Sequence, residues 1–130
     1  MTAIDTNVLV RIITNDDRSQ AARAVAFLRR QNRIYIPKTV LLELEWVLRS
    51  AYRTRREAIA PALRAILGLF NVDVEDETSV RQAIEWYEEG MDFADGLHVA
   101  SAGRERRFAT FDNSLRRRLR RPGANKLAEI

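Results

Sequence analysis

Asp92 and Asp95 lie three residues apart at the mouth of a small, apolar run, M-D-F-A-D-G-L-H-V-A-S-A, over Met91–Ala102. Carboxylates beside such a run are costly unless something pairs with them. Two further aspartates follow apolar stretches: Asp5 after Thr2, Ala3 and Ile4, and Asp112 after Phe108, Ala109, Thr110 and Phe111. Each has a purely structural explanation as a helix N-cap, and Asp92 with Asp95 three residues on has the spacing of a capping arrangement. Gathered on one spot, the same carboxylates repel, since two full charges about 4 Å apart cost about 4 kcal/mol at an effective dielectric near 20. Protons or a cation must relieve that. Oxygen-only ligands select a hard divalent ion, Mg²⁺ or Mn²⁺. The absence of cysteine, with a single histidine, argues against zinc. A hard cation held by few carboxylates keeps open positions, the arrangement that phosphodiester chemistry uses.

The elements that must position these groups follow from periodicity. Short strands are expected at Thr2–Asp5, Arg33–Ile36, Asn71–Glu75 and Arg107–Phe111. Helices are expected at Asn7–Ile13, Gln20–Arg30, Thr39–Tyr52, Arg55–Phe70, Glu77–Glu89 (stopped by Gly90) and Ala94–Arg104, with a short basic helix from Asn113. The tail, Pro122–Ile130, is read as a further edge strand. Strands alternating with helices indicate an α/β fold with a short, mainly parallel central sheet of four to five strands. Ligands of such sheets bind at the carboxyl ends of the strands. Asp5 and Asp112 both end strands expected to be central, and Asp95 opens a helix that must return to the strand ending at Asp112. The helix after Pro37 leaves the same edge and carries Glu43 and Glu45. At 100° per residue both flank its apolar stripe at similar angles, so periodicity does not choose between them.

The chain of 130 residues suits one domain over residues 1–130. No apolar run reaches the roughly 18 residues of a membrane helix, and the opening M-T-A-I-D does not read as a signal peptide, so the cytoplasm is the expected location. The 22 basic and 18 acidic residues leave a net charge of +4. That charge is segregated: Asp73 to Asp95 is acidic with Arg81 its one basic residue, whereas Arg104 to Arg121 is strongly basic. A basic patch beside an acidic cluster suits a metal-dependent enzyme acting on a polyanion. Arg104, Arg106, Arg107, Arg116, Arg117, Arg118, Arg120 and Arg121 are the candidates for phosphate contacts. His98 reads as a partly buried, hydrogen-bonded core residue rather than a general base. Trp46, Trp86, Tyr52 and Tyr87, spaced among leucines and valines, read as core or interface groups rather than base-stacking ones.

Four stretches together, A-I-D-T-N, L-L-E-L-E-W-V-L, D-F-A-D-G-L-H-V-A-S-A and A-T-F-D-N, resemble the PIN domain, and most closely its VapC-type branch, the toxins of bacterial toxin–antitoxin pairs. The resemblance runs from residue 2 to about residue 115. It implies a three-layer α/β/α arrangement and a Mg²⁺-dependent endoribonuclease, with Mn²⁺ as a substitute. Asp5, Glu43, Asp95 and Asp112 match the family's acidic residues, and the L-L-E-L pattern selects Glu43 over Glu45. Asp5, Asp95 and Asp112 match metal ligands, with Glu43 direct or acting through water. Thr6, Asn7 and Thr110 match polar positions around the metal, and Asp92 an acidic residue that part of the family carries. Gly96 stands where alanine is commoner. The implied reaction is in-line attack of a metal-activated water, leaving a 5′-phosphate and a 3′-hydroxyl. The resemblance also implies a homodimer and an antitoxin covering the active site, for which the faces around Leu41, Trp46, Leu63 and Leu67 are the expected surfaces.

Three alternatives stay open. One is a PIN nuclease of RNA processing or decay that is not a toxin; the motifs are shared, and the short chain favours the toxin. Another is an Asp-nucleophile phosphatase, which wants an aspartate where Asn7 stands and a downstream lysine, absent between Lys38 and Lys126. The last is a non-catalytic nucleic-acid-binding module, against which stands the occupation of all four acidic positions.

Overall fold

The computed structural model describes residues 1–121 and 127–130, which divide into two compact units, residues 1–77 and 78–130. The first unit runs β1 (Thr2–Ala3), α1 (Thr6–Thr14), α2 (Arg18–Arg30), β2 (Ile34–Ile36), α3 (Lys38–Ser50), α4 (Arg56–Leu67) and β3 (Val72–Val74). All three strands are parallel and adjacent in the order β1-β2-β3, with Thr2 opposite Ile34 and Ile34 opposite Val72. Each crossover uses a pair of helices, as parallel strands require a long connection. Ile34 and Ile36, two apart and so on one face of the middle strand, are fully buried, while Tyr35 between them is partly buried on the other face. Their neighbours in the core are Leu41, Leu44 and Leu48 at helical spacing on α3, and Ile59 and Leu63 on α4. Asn71 ties the entry of β3 to the α2–β2 connection, its Nδ2 donating to the carbonyls of Leu28 at 3.0 Å and Gln31 at 3.1 Å.

The second unit carries α5 (Glu77–Glu88, whose first residue belongs to the preceding unit), α6 (Phe93–Ala102) and α7 (Asn113–Leu119). Gly90 ends α5 with φ +108°, a conformation that favours glycine. Gly90 N–H reaches the Tyr87 carbonyl at 3.0 Å and Met91 N–H the Trp86 carbonyl at 3.0 Å, the two bonds of a Schellman motif. Met91 then packs with Trp86 in a cluster completed by Val99, Leu115 and Leu119. Gly96 of α6 lies against Ala83 of α5, where an added Cβ would sit 3.5 to 3.6 Å from its neighbours, ordinary contact. The small residues of α6 therefore let it pack on α5, and Ser79 Oγ adds a bond to the Ala100 carbonyl at 3.1 Å. Gly96→Ala is accordingly expected to stabilise the protein by up to about 1 kcal/mol through helix propensity. An urea midpoint at or below the parent's would contradict it.

Two sequence expectations are corrected. The sheet has three strands among the described residues, not four to five, and its middle strand is β2 rather than β1. Residues 107–111 form no strand: Phe108 makes a single parallel bridge to Leu127, with Ala128 N–H bonded to the Phe108 carbonyl at 2.8 Å. The reason is local. Thr110 Oγ1 accepts from the Asp112 N–H at 3.1 Å and the Thr110 carbonyl accepts from Arg116 at 3.1 Å, so these groups serve the start of α7 instead of a ladder. In the expected tail strand, residues 122–126 lie outside the described residues, and Leu127 contributes only that bridge.

Candidate functional site

In the first unit, β1 ends two residues before Asp5, which caps α1 by accepting the Thr6 N–H at 2.7 Å. The Asp5 carboxylate is exposed, and Thr6 beside it is buried with a hydroxyl that has no hydrogen-bond partner among the described residues. Asn7 is exposed and lines an open groove of about 770 Å³ between α1 and α2, together with Val8, Arg11, Arg23, Phe27 and Arg30. Phe27 lies beside, not on, the apolar stripe of α2, so periodicity gives no sign of this groove.

The structure separates the two glutamates that periodicity left equivalent. Glu45 is 2% exposed and takes an ion pair from Arg49, one turn on, at 2.8 Å. Glu43 is exposed, with no hydrogen bond or ion pair among the described residues of this unit. Glu45 is thus committed to structure and Glu43 is available for chemistry. Glu45→Ala is expected to cost about 1–3 kcal/mol, the range for stripping a buried polar group of its role. Glu43→Gln should leave stability within about 0.5 kcal/mol, as for other surface changes, and lower RNA cleavage by at least about tenfold. Equal losses of stability in the two variants would contradict the division.

In the second unit, Asp92 caps α6, its Oδ2 accepting the Asp95 N–H at 3.0 Å. Asp112 caps α7 in the same way, accepting the Leu115 N–H at 3.0 Å. The structural explanation offered for each of these aspartates therefore holds, and a cap at one carboxylate oxygen leaves the other free for a ligand. Asp95 differs. It sits half-buried in the first turn of α6, and its pKa is raised, first by burial and then by the charges of Asp92 and Asp112, with His98 pulling slightly the other way. The charges of Asp92 and Asp112 thus reach Asp95, with Thr110 holding the Asp112 backbone. His98 is exposed, not the core residue the sequence suggested.

Within either unit, no three His, Cys, Asp or Glu side chains among the described residues are drawn together into a metal-binding group. Asp5, Thr6, Asn7 and Glu43 belong to residues 1–77; Asp92, Asp95, Thr110 and Asp112 belong to residues 78–130. All the candidate donors are oxygens, and burial with the charges of Asp92 and Asp112 disfavours a bare negative charge on Asp95. The donor chemistry therefore fits a hard divalent ion.

The basic candidates also divide. Arg106 is bonded to the Ala102 carbonyl at 2.7 Å and paired with Glu105, and Arg116 holds the Thr110 carbonyl and approaches Glu129 at 3.6 Å. Arg104, Arg107, Arg117, Arg120 and Arg121 are exposed, and Arg118 is half-buried. Among the aromatic residues, Tyr87 is core, Trp86 is partly buried, and Trp46 is 57% exposed. Leu41, Leu63 and Leu67, expected on docking faces, are buried in the core. They complete the packing of α3 and α4 and present no surface to a partner; of that set only Trp46 does.

The chain belongs to the PIN domain family: a family model described as PIN domain matches residues 2–119, spanning both units. PIN domains are generally metal-dependent nucleases, so membership supports a nuclease with a nucleic-acid substrate. Comparison with curated proteins and with solved structures returned no match. No described helix is long and apolar enough to cross a membrane.

Proposed function

We propose that residues 1–130 work as one PIN domain, a Mg²⁺-dependent endoribonuclease that is the toxin of a type II toxin–antitoxin pair. The observation that carries this reading is the family match, together with acidic residues at all four positions, Asp5, Glu43, Asp95 and Asp112. Asp5, Asp95 and Asp112 would hold the cation, with Glu43 assisting directly or through water. Asp92 adds negative charge and caps α6, Thr110 holds the Asp112 backbone, and Thr6 and Asn7 would orient the ligands once a cation is bound. When bound, Mg²⁺ neutralises charge building on the scissile phosphate and lowers the pKa of the attacking water. The carboxylates would take up that water's proton as its oxygen joins phosphorus, while the bond from phosphorus to the 3′ oxygen breaks and that oxygen takes a proton from solvent. The products carry a 5′-phosphate and a 3′-hydroxyl.

The toxin role, the homodimer, the antitoxin and the cytoplasmic location rest on the motif resemblance. An exposed Trp46, with Leu69 and Phe70 also at the surface, supports a protein-binding face on the first unit. Induced expression tests the biological role. Growth arrest relieved by a small neighbouring gene supports the toxin; unimpaired growth, with RNA cleavage retained in vitro, supports the alternative nuclease of RNA processing or decay. Titration with Mn²⁺ tests the metal: no binding by the folded protein returns the chain to the class of non-catalytic nucleic-acid-binding modules.

A further inference from the structure

Ser114, Arg117 and Arg118 share one face of α7 at i, i+3, i+4 spacing, and Arg121 follows just beyond the helix's C-cap, Arg120. They line an open pocket of about 290 Å³ at the end of α7, and no carboxylate lines it among the described residues. Arg117 is exposed and has no hydrogen-bond or ion-pair partner among the described residues. Arg118 lies over Gly90, where a Cβ would come within 3.2 Å of its Nη2, so the glycine that turns the chain also gives this guanidinium its seat. Arg121 meets Glu89 only at 3.9 Å, with both side chains more than half exposed, an arrangement worth little in water. Three planar guanidinium groups and a hydroxyl around one small space form a donor-rich set, with no carboxylate among its lining residues. That set suits a tetrahedral, doubly oxygenated anion, which arginine grips bidentately.

We propose that this pocket binds a backbone phosphate of the RNA chain. The inference rests on the nuclease reading above and narrows it: of the many arginines, these three make the contact, whereas Arg106 and Arg116 serve the fold. Contacts of this kind fix the register of the chain and carry no sequence preference.

Binding of a fluorescein-labelled single-stranded RNA, followed by anisotropy in EDTA over a range of KCl, tests the pocket apart from cleavage. Arg117→Ala and Arg121→Ala should each weaken binding several-fold. Each should also lower the magnitude of the salt slope by about 0.7, the value for one phosphate contact on a single strand. Arg81→Ala removes the same charge from an exposed position on α5, outside the pocket, and should leave affinity within about twofold. Losses of equal size in all three variants would mean diffuse attraction and overturn the pocket. Unchanged affinity in the pocket variants would overturn it too, leaving these arginines to an acidic protein surface. If that happens while the parent still cuts RNA in Mg²⁺, the pocket fails and the nuclease reading stands. A parent that neither binds nor cuts RNA sinks both.

Discussion

Asp95→Asn is expected to raise the melting temperature of the metal-free protein at neutral pH while lowering Mg²⁺-dependent RNA cleavage by more than about 100-fold. The two effects share one cause. Burial, and then the charges of Asp92 and Asp112, hold the Asp95 pKa above its ordinary value of 3.8. Between that value and the raised one, the folded state binds more protons than the unfolded chain. Stability therefore falls as pH rises through this window and stays at the lower level above it. Asparagine keeps the side-chain shape and removes the charge, so the variant escapes that fall. With Mg²⁺ present the order should reverse. A cation bound only by the folded parent adds about 2.7 kcal/mol at a hundred times its Kd, and the variant, lacking a ligand, gains little. Removing groups that merely orient metal ligands commonly costs 10–100-fold, and loss of a ligand should exceed that. Melting curves from pH 3 to 8 in EDTA, repeated in Mg²⁺, check the prediction. A variant less stable than the parent in EDTA at pH 7 would contradict it.

Phe93→Ala should be the most destabilising of these changes, at about 3–5 kcal/mol for a large aromatic lost from a core. Phe93 is fully buried and meets Tyr87 of α5 edge-on, with ring centroids 5.6 Å apart and planes at 70°. Such a pair adds about 0.5–1.5 kcal/mol beyond burial. Phe93 is also the first residue of α6, between Asp92 and Asp95, so the ring that anchors the helix also sets the position of both carboxylates. For a chain of this size the melting temperature should drop by roughly 10–20 °C. Phe111→Ala is the matched control. That ring, next to Asp112, is 82% exposed, and its loss should change stability by no more than about 0.5 kcal/mol. Equal effects of the two substitutions, measured by thermal or urea unfolding, would contradict the packing described for α6.

The seven helices and three sheet strands were legible because each carries a periodic apolar face with marked ends: Asp17 and Asp92 as caps, Pro37 after β2, Gly90 after α5. R-F-A-T-F was misread as a strand because alternation over five residues does not reveal where backbone hydrogen bonds go. Thr110 and Asp112 close on each other through a bond between neighbours that a periodic count does not weigh. The same limit hid the difference between Glu43 and Glu45, which the Arg49 ion pair decides. It also placed His98 inside, when the face of α6 it occupies is open. Leu41, Leu63 and Leu67 were assigned to partner surfaces because an apolar stripe has the same pattern whether it meets its own core or another protein. The acidic positions themselves were legible from residue type and order, since carboxylates at the ends of apolar stretches stand out even when each also serves as a cap.

The most direct measurement is incubation of the purified protein with RNA and Mg²⁺, beside an EDTA control and the Asp5→Asn variant, with the chemistry of the cut ends mapped. The expected result is Mg²⁺-dependent cleavage leaving 5′-phosphate and 3′-hydroxyl ends, abolished by EDTA and reduced more than about 100-fold by the substitution, consistent with loss of a metal ligand. Cleavage that survives both EDTA and Asp5→Asn would contradict the assignment of these carboxylates to a metal-dependent nuclease site.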